Sequence, residues 1–243
     1  MKFALIDNQK KEAAKGLMGI CPICHQSVIA KCGGTRIDHW AHKSLAQCDI
    51  WWEHETEWHR NWKNKFPMEW QEVVAIDEMT GEKHIADIKT DKGLVIEFQH
   101  SYISPEERIL REQFYKDMVW VVDGTRCEGD FKRFAKAFDN KDIYCNRISE
   151  CNPPKICFLG CYQNYLPKQW QKSSVPVIFD FKGLTDKTDC YYDRIQESLW
   201  CLLPKCRPGL PMLIIFDRNE MVEMVKYGSF SSNIKNIINK MND

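Results

Sequence analysis

The chain has 243 residues, enough to bury a substantial core in one large domain or two small ones. Its 34 Lys and Arg are matched by 34 Asp and Glu, so the formal net charge is zero, a coat of basic surface is excluded, and any nucleic-acid contact must be local. The opening MKFALIDNQKKEAAKG has no apolar h-region, and no run approaches the roughly 18 apolar residues of a membrane span. The expectation is a cytoplasmic protein with no membrane partner.

Residues 1–50 lack long apolar runs but hold Cys21-Pro-Ile-Cys24, Gly33-Gly34 and His39-Trp-Ala-His42, with Cys48 beyond. Two cysteines three apart can grip one tetrahedral ion, and an HxxH within 20 residues strengthens that reading over a redox CxxC, which needs a βαβ setting absent here. The expectation is Zn²⁺ on Cys21, Cys24, His42 and Cys48. His39 remains an alternative ligand, or a residue that contacts DNA or packs in the core. All seven histidines lie between positions 25 and 100, so histidine chemistry belongs to the N-terminal half.

WWEHETEWHRNWKNKF, 51–66, has helical period, with Trp51, Trp58, Trp62 and Phe66 on one stripe, Glu55, His59 and Lys63 on a ridge beside it, and Pro67 as the stop. Strands are expected at 68–76, 84–90 and 94–99. In 84–90, Ile85, Asp87 and Lys89 share one face and Ala86 and Ile88 the other; in 94–99, Val95, Glu97 and Gln99 share a face. Asp91-Lys92-Gly93 suits a three-residue hairpin turn with Gly93 in the left-handed region, which pairs Thr90 with Leu94 and sets Asp87 opposite Glu97. Like charges so placed are destabilising unless a cation or solvent separates them. Ser104, Pro105 and Glu107 then read as the cap, first residue and capping-box partner of a helix with Leu110, Phe114 and Met118 as its inner ridge. VWVVD, 119–123, follows as a buried strand.

Beyond about 140, SSVPVIFDF and GLPMLIIFD read as strands with ESLWCLLP between them, and Pro153-Pro154 suits a boundary. Four cysteines in 145–161 follow no ligand spacing and read as buried free thiols. The partition implied is a zinc-binding module over 1–50, an α/β core with a mixed sheet over 51–140 and a C-terminal region of unknown role over 141–243, through which the chain could form a homo-oligomer or meet a protein partner.

Taken together, CPIC, HWAHK, the helix with Glu55, His59 and Lys63, IADI, IEFQHS, Pro-Glu-Glu-Arg and Tyr115 before VWVV resemble the competence protein CoiA-like family over about residues 15–130. That family is assigned to the PD-(D/E)xK nuclease superfamily. The resemblance implies an α/β, restriction-endonuclease-like mixed sheet flanked by helices, behind a small zinc module and before an α/β C-terminal region. It implies a metal-dependent DNA nuclease, in DNA processing during competence and recombination or in defence against foreign DNA. Asp87 and Glu97, with Glu55, would hold Mg²⁺ or Mn²⁺; His59 would orient water or meet phosphate; Arg108 would anchor the DNA backbone. Gln99 stands where lysine is usual and supplies no charge, which Lys63 or Lys89 could replace. The alternative is a catalytically inactive, zinc-containing DNA-binding protein on a nuclease fold; a redox or sensor protein built on the cysteines is a third.

Overall fold

A computed structural model describes residues 1–34, 36–43, 48–147, 155–160, 164–182, 195–204 and 211–242. The chain divides into two compact units, Met1–Lys89 and Thr90–Asp243, a partition different from one at 50 and 140.

The first unit opens with β1 (Phe3–Ile6) and β2 (Gln9–Glu12), a hairpin whose two-residue turn, Asp7 and Asn8, has φ of 49° and 60°. Both residue types tolerate this left-handed backbone. β3 (Met18–Ile20), β4 (Ser27–Lys31) and β5 (His39–His42) complete an antiparallel sheet in the order β2-β1-β3-β4-β5. Its core is Met1, Ala4, Cys21, Ile23, Val28 and Trp40. Gly19 allows the closest approach: a Cβ there would stand 3.0 Å from Ala4 Cβ and 3.1 Å from Leu5 O.

The helix expected over 51–66 is α1, Glu57–Lys63. Thr56 caps it by accepting the His59 N–H, so Trp51–Glu55 stay outside and Glu55 precedes the helix instead of riding on it. After Pro67 and a short 3₁₀ turn, β6 (Gln71–Ile76) pairs antiparallel with β7 (Lys83–Lys89). Along β7, His84, Ala86 and Ile88 are buried while Ile85, Asp87 and Lys89 are half-buried, the alternation expected of it.

In the second unit the 90–94 turn forms as expected. Thr90 N–H donates to Leu94 O at 2.9 Å, Gly93 N–H to Thr90 O at 3.0 Å, and Gly93 has φ 88°. Lys92 at its tip donates to Tyr227 O, a carbonyl at a helix C-terminus. β8 (Val95–Gln99), α2 (Pro105–Tyr115) and β9 (Met118–Asp123) make a β-α-β unit with parallel strands. Then come α3 (Glu128–Asp139), β10 (Ile143–Arg147), β11 (Lys155–Leu159), β12 (Val177–Asp180), β13 (Leu199–Leu202), β14 (Met212–Phe216), α4 (Arg218–Lys226) and α5 (Phe230–Asn242). The strands of this unit run in the order β8-β9-β12-β13-β14-β11-β10, with β9 and β12 parallel and the later pairs antiparallel. The architecture is therefore mixed α/β. ESLWCLLP contributes β13, and β12 and β14 fall within the two apolar stretches read as strands.

Two sequence expectations are corrected here. Ser104 caps α2 through the Glu107 N–H, but the inward face of α2 is Arg108, Arg111, Glu112 and Tyr115, whereas Leu110 is 55% exposed and Met118 belongs to β9. The polar groups can be buried because they satisfy one another. Glu112 accepts from Arg108, Trp120 Nε1, Ser173 Oγ and both the N–H and Oγ of Ser174. Those bonds outweigh the carboxylate's burial and lower its pKa. Second, Cys157 is buried and disulfide-bonded, so it is not one of the free thiols expected in 145–161. Cys151, Cys161 and the Pro153-Pro154 boundary lie outside the described residues.

Candidate metal centre and acid cluster

The β3–β4 connection is a tight knuckle: Cys21 N–H donates to Gln26 O at 2.9 Å and His25 N–H to Cys21 O at 3.0 Å. It places both CPIC thiols beside β5. Ligand atoms of Cys21, Cys24, His42 and Cys48 all lie within 4.8 Å of one another, with Cys24 Sγ 3.2 Å from His42 Nε2 and Cys21 Sγ 3.6 Å from Cys48 Sγ. A tetrahedral zinc site with bonds of about 2.3 Å to sulfur spaces its ligands by about 3.5–3.8 Å, so these four residues could hold Zn²⁺. Burial pushes the Cys21 and Cys48 thiols up; at Cys24 backbone N–H groups, led by Gln26, outweigh burial and lower it. A divalent cation would stabilise all three as thiolates. His39 is not in the quartet. Three residues apart on a strand, His39 and His42 point to opposite faces, and His39 Nδ1 donates to Ile37 O at 2.8 Å.

The quartet is tied to β7 through Asp49, next to Cys48. Asp49 accepts from His84 Nδ1 at 2.8 Å and from the N–H groups of Trp51 and Ile85, each at 2.9 Å. Trp51 stacks on the His84 ring. The sequence offers no local signal for this Asp49–His84 tie.

A second cluster in the same unit surrounds Lys63. Lys63, 3% exposed, reaches Glu55 Oε1 at 2.8 Å, Glu72 Oε1 at 3.0 Å and Asp87 Oδ1 at 3.5 Å. The β6–β7 register, Gln71 with Ile88 and Val73 with Ala86, sets Glu72 opposite Asp87. Glu72 has φ 47°, a left-handed backbone costly for a side chain that is not glycine. It is held there by the N–H groups of Lys2 and Phe3 as well as by Lys63. Burial opposes the charge on each group. For Lys63 it is outweighed by Glu72, Asp87 and Glu55, so its pKa rises; for Glu55 it is outweighed by Lys63 and Arg60, so its pKa falls. For Glu72 it is outweighed by Lys63, the N-terminal ammonium and the two N–H donors, which hold the carboxyl at about 2. Glu72 was not legible as a site residue, because neither its positive φ nor its partners leave a trace in QEVVAI.

His59 is 2% exposed. Its Nδ1 accepts the Thr56 N–H at 3.2 Å, so Nε2 carries the proton and donates to Glu53 Oε1 at 2.9 Å. Both nitrogens serve the helix start. Lys89 shares the half-buried face of β7 with Asp87.

In the second unit, Glu97 is 5% exposed and its Oε2 lies 3.4 Å from Arg111 Nη1. Gln99 donates through Nε2 to Ser101 O and Oγ, at 3.1 and 3.2 Å. Arg108 is 1% exposed, with its guanidinium bound to Glu112 and to Lys172 O. The structure therefore gives Arg108 a bracing role in the core in place of the DNA contact expected of it.

Residues 6–51 match the family model of the competence protein CoiA N-terminal domain. All four metal-centre residues lie inside the match, which likens this N-terminal part of the chain to the CoiA N-terminal domain. No curated protein and no solved structure matches the chain. Among the described residues no helix is long and apolar enough to cross a membrane.

Proposed function

We propose that this protein is a metal-dependent DNA nuclease of competence-related DNA processing, or of defence against foreign DNA, with a structural Zn²⁺ in its N-terminal module. The observation that carries the reading is Lys63, a buried ammonium against Asp87 and Glu55. It stands by the first acid of the resemblance, supplying the positive charge that Gln99 lacks. Glu55, Glu72 and Asp87 converge on that ammonium, and carboxylate oxygens are the ligands that a hard divalent ion takes. Asp87 and Glu97, with Glu55, would hold Mg²⁺ or Mn²⁺, which when bound supplies Lewis-acid polarisation of a phosphoryl oxygen and a water of lowered pKa. Lys63 would then fix the Asp87 and Glu55 carboxylates and offset charge developing on the phosphate. Gln99 would position water or a phosphate oxygen by hydrogen bonding, and Lys89 would meet the DNA backbone. The restriction-endonuclease-like form of the core and a cytoplasmic location belong to this same proposal, as does a homo-oligomer or protein partner at the C-terminal region.

A second reading, a zinc-containing DNA-binding protein without catalysis, is favoured by one observation: the Glu97 carboxylate lies against Arg111. The two are separated by incubating plasmid, linear duplex and single-stranded DNA with Mg²⁺, Mn²⁺ or EDTA. A nuclease cleaves with the divalent ion, and Asp87→Ala or Glu97→Ala abolishes cleavage. DNA binding persists or tightens, because a carboxylate without its metal repels phosphate. Cleavage that survives in both variants, or none with any ion in the unmutated protein, refutes the proposal.

A further inference from the structure

The first unit contains a cleft of about 550 Å³ lined by Arg36, His39, Trp52, His54, Glu55 and Thr56 among others. We infer that it takes an unpaired nucleotide of single-stranded DNA, with the base stacked on Trp52 and the phosphate met by Arg36. The inference rests on the DNA-directed reading above and adds the form of DNA that the first unit selects.

Its neighbour Trp51 is buried on His84, but Trp52 keeps 36% of its surface exposed. His54 packs on Trp52 in a T-shaped contact, with centroids 4.7 Å apart, which helps to fix the indole. An exposed aromatic beside a cation is the arrangement by which single strands are held, since every base has a π-face. His39 donates through Nδ1 to Ile37 O, so in the neutral imidazole its Nε2 presents a lone pair able to accept from an exocyclic amine. Two carboxylates line the cleft: Arg60 at 2.6 Å and Lys63 at 2.8 Å neutralise Glu55, and Glu57 is exposed, where solvent and salt screen its charge. The volume lies in the range of roughly 300–1,000 Å³ of small-ligand pockets. That suits one nucleotide. In a duplex both base faces are already stacked, leaving nothing for Trp52. Glu55, which lines the cleft, pairs with Lys63, and Lys63 with Asp87, so two ion pairs link the cleft wall to that cluster.

The test is fluorescence anisotropy with a labelled oligothymidylate and a labelled hairpin duplex, using zinc-loaded full-length protein without added Mg²⁺, so that no cleavage is needed. The unmutated protein should prefer the single strand. Trp52→Ala should weaken that binding by roughly tenfold, the size of one lost base–aromatic stack, with Trp52→Phe restoring most of it and duplex binding unchanged. Equal binding by Trp52→Ala and the unmutated protein, equal losses on both probes, or no single-strand binding at all would overturn the inference. The nuclease reading fails separately: a Trp52-dependent preference without Mg²⁺-dependent cleavage leaves the cleft assigned, and cleavage with Trp52-independent binding leaves only the nuclease.

Discussion

Replacing Glu72 by glutamine removes one charge from the interior of the first unit while keeping the shape of the side chain. Glu72 is 5% exposed; its Oε1 accepts from Lys2 N–H at 2.7 Å and Lys63 at 3.0 Å, and its Oε2 from Phe3 N–H at 2.9 Å. Burial raises its pKa, but Lys63, the N-terminal ammonium and those N–H groups outweigh it and bring the carboxyl from 4.5 to about 2. At about 1.4 kcal/mol per tenfold change in proton affinity, that is roughly 3 kcal/mol of stability at neutral pH. The raised pKa of Lys63 reports the same attraction from its partner and is not added. Glutamine also turns an NH₂ group toward a donor, so the expected loss is about 3–5 kcal/mol, the range for breaking a buried pair. Because the folded pKa lies below the unfolded one, the contribution is complete above about pH 4.5 and is lost as the pH falls toward about 2. Urea unfolding followed by tryptophan fluorescence, from pH 7 downward, should show a gap between the two proteins that closes over that window. Acid also protonates the cysteine ligands, but it does so in both proteins and cancels in the difference. Equal midpoints at pH 7, or a gap that does not change with pH, would refute this account of the cluster.

Purified without added metal, the protein should carry about one equivalent of Zn²⁺ by atomic emission; Cys48→Ser should lose it and His39→Ala keep it. A Cys21–Cys24 disulfide in metal-free protein would rule this out. Chelation should loosen the sheet around Trp40, read as a red shift in its fluorescence, because binding and folding are coupled in such modules. In the second unit, Glu112→Ala strands Arg108 without its carboxylate and should cost about 3–5 kcal/mol in urea unfolding. A loss under about 1 kcal/mol would show that this buried network is solvated instead.

The CPIC half of the metal quartet, the 90–94 turn and the start of α2 were legible because each is set by residues a few positions apart. CPIC closes a knuckle on itself, Gly93 supplies the one left-handed residue its turn needs, and Ser104-Pro105 can only begin a helix. The alternation of β7 was legible for the same reason. Local rules also misled. The tryptophan stripe suggested a helix through Glu55, but the Thr56 hydroxyl captured the His59 N–H and started α1 at Glu57. Apolar periodicity pointed Leu110 inward, but Glu112 finds Ser173 and Ser174 61 and 62 residues away and draws the polar face of α2 into the core. Glu72, whose carboxylate binds backbone 70 residues earlier, could be found only in three dimensions. Spacing and capping are short-range forces that a sequence displays directly. Which buried charge meets which partner depends on chain segments that only tertiary packing brings together, and in this protein those partners decided where Lys63, Glu72 and Arg108 stand.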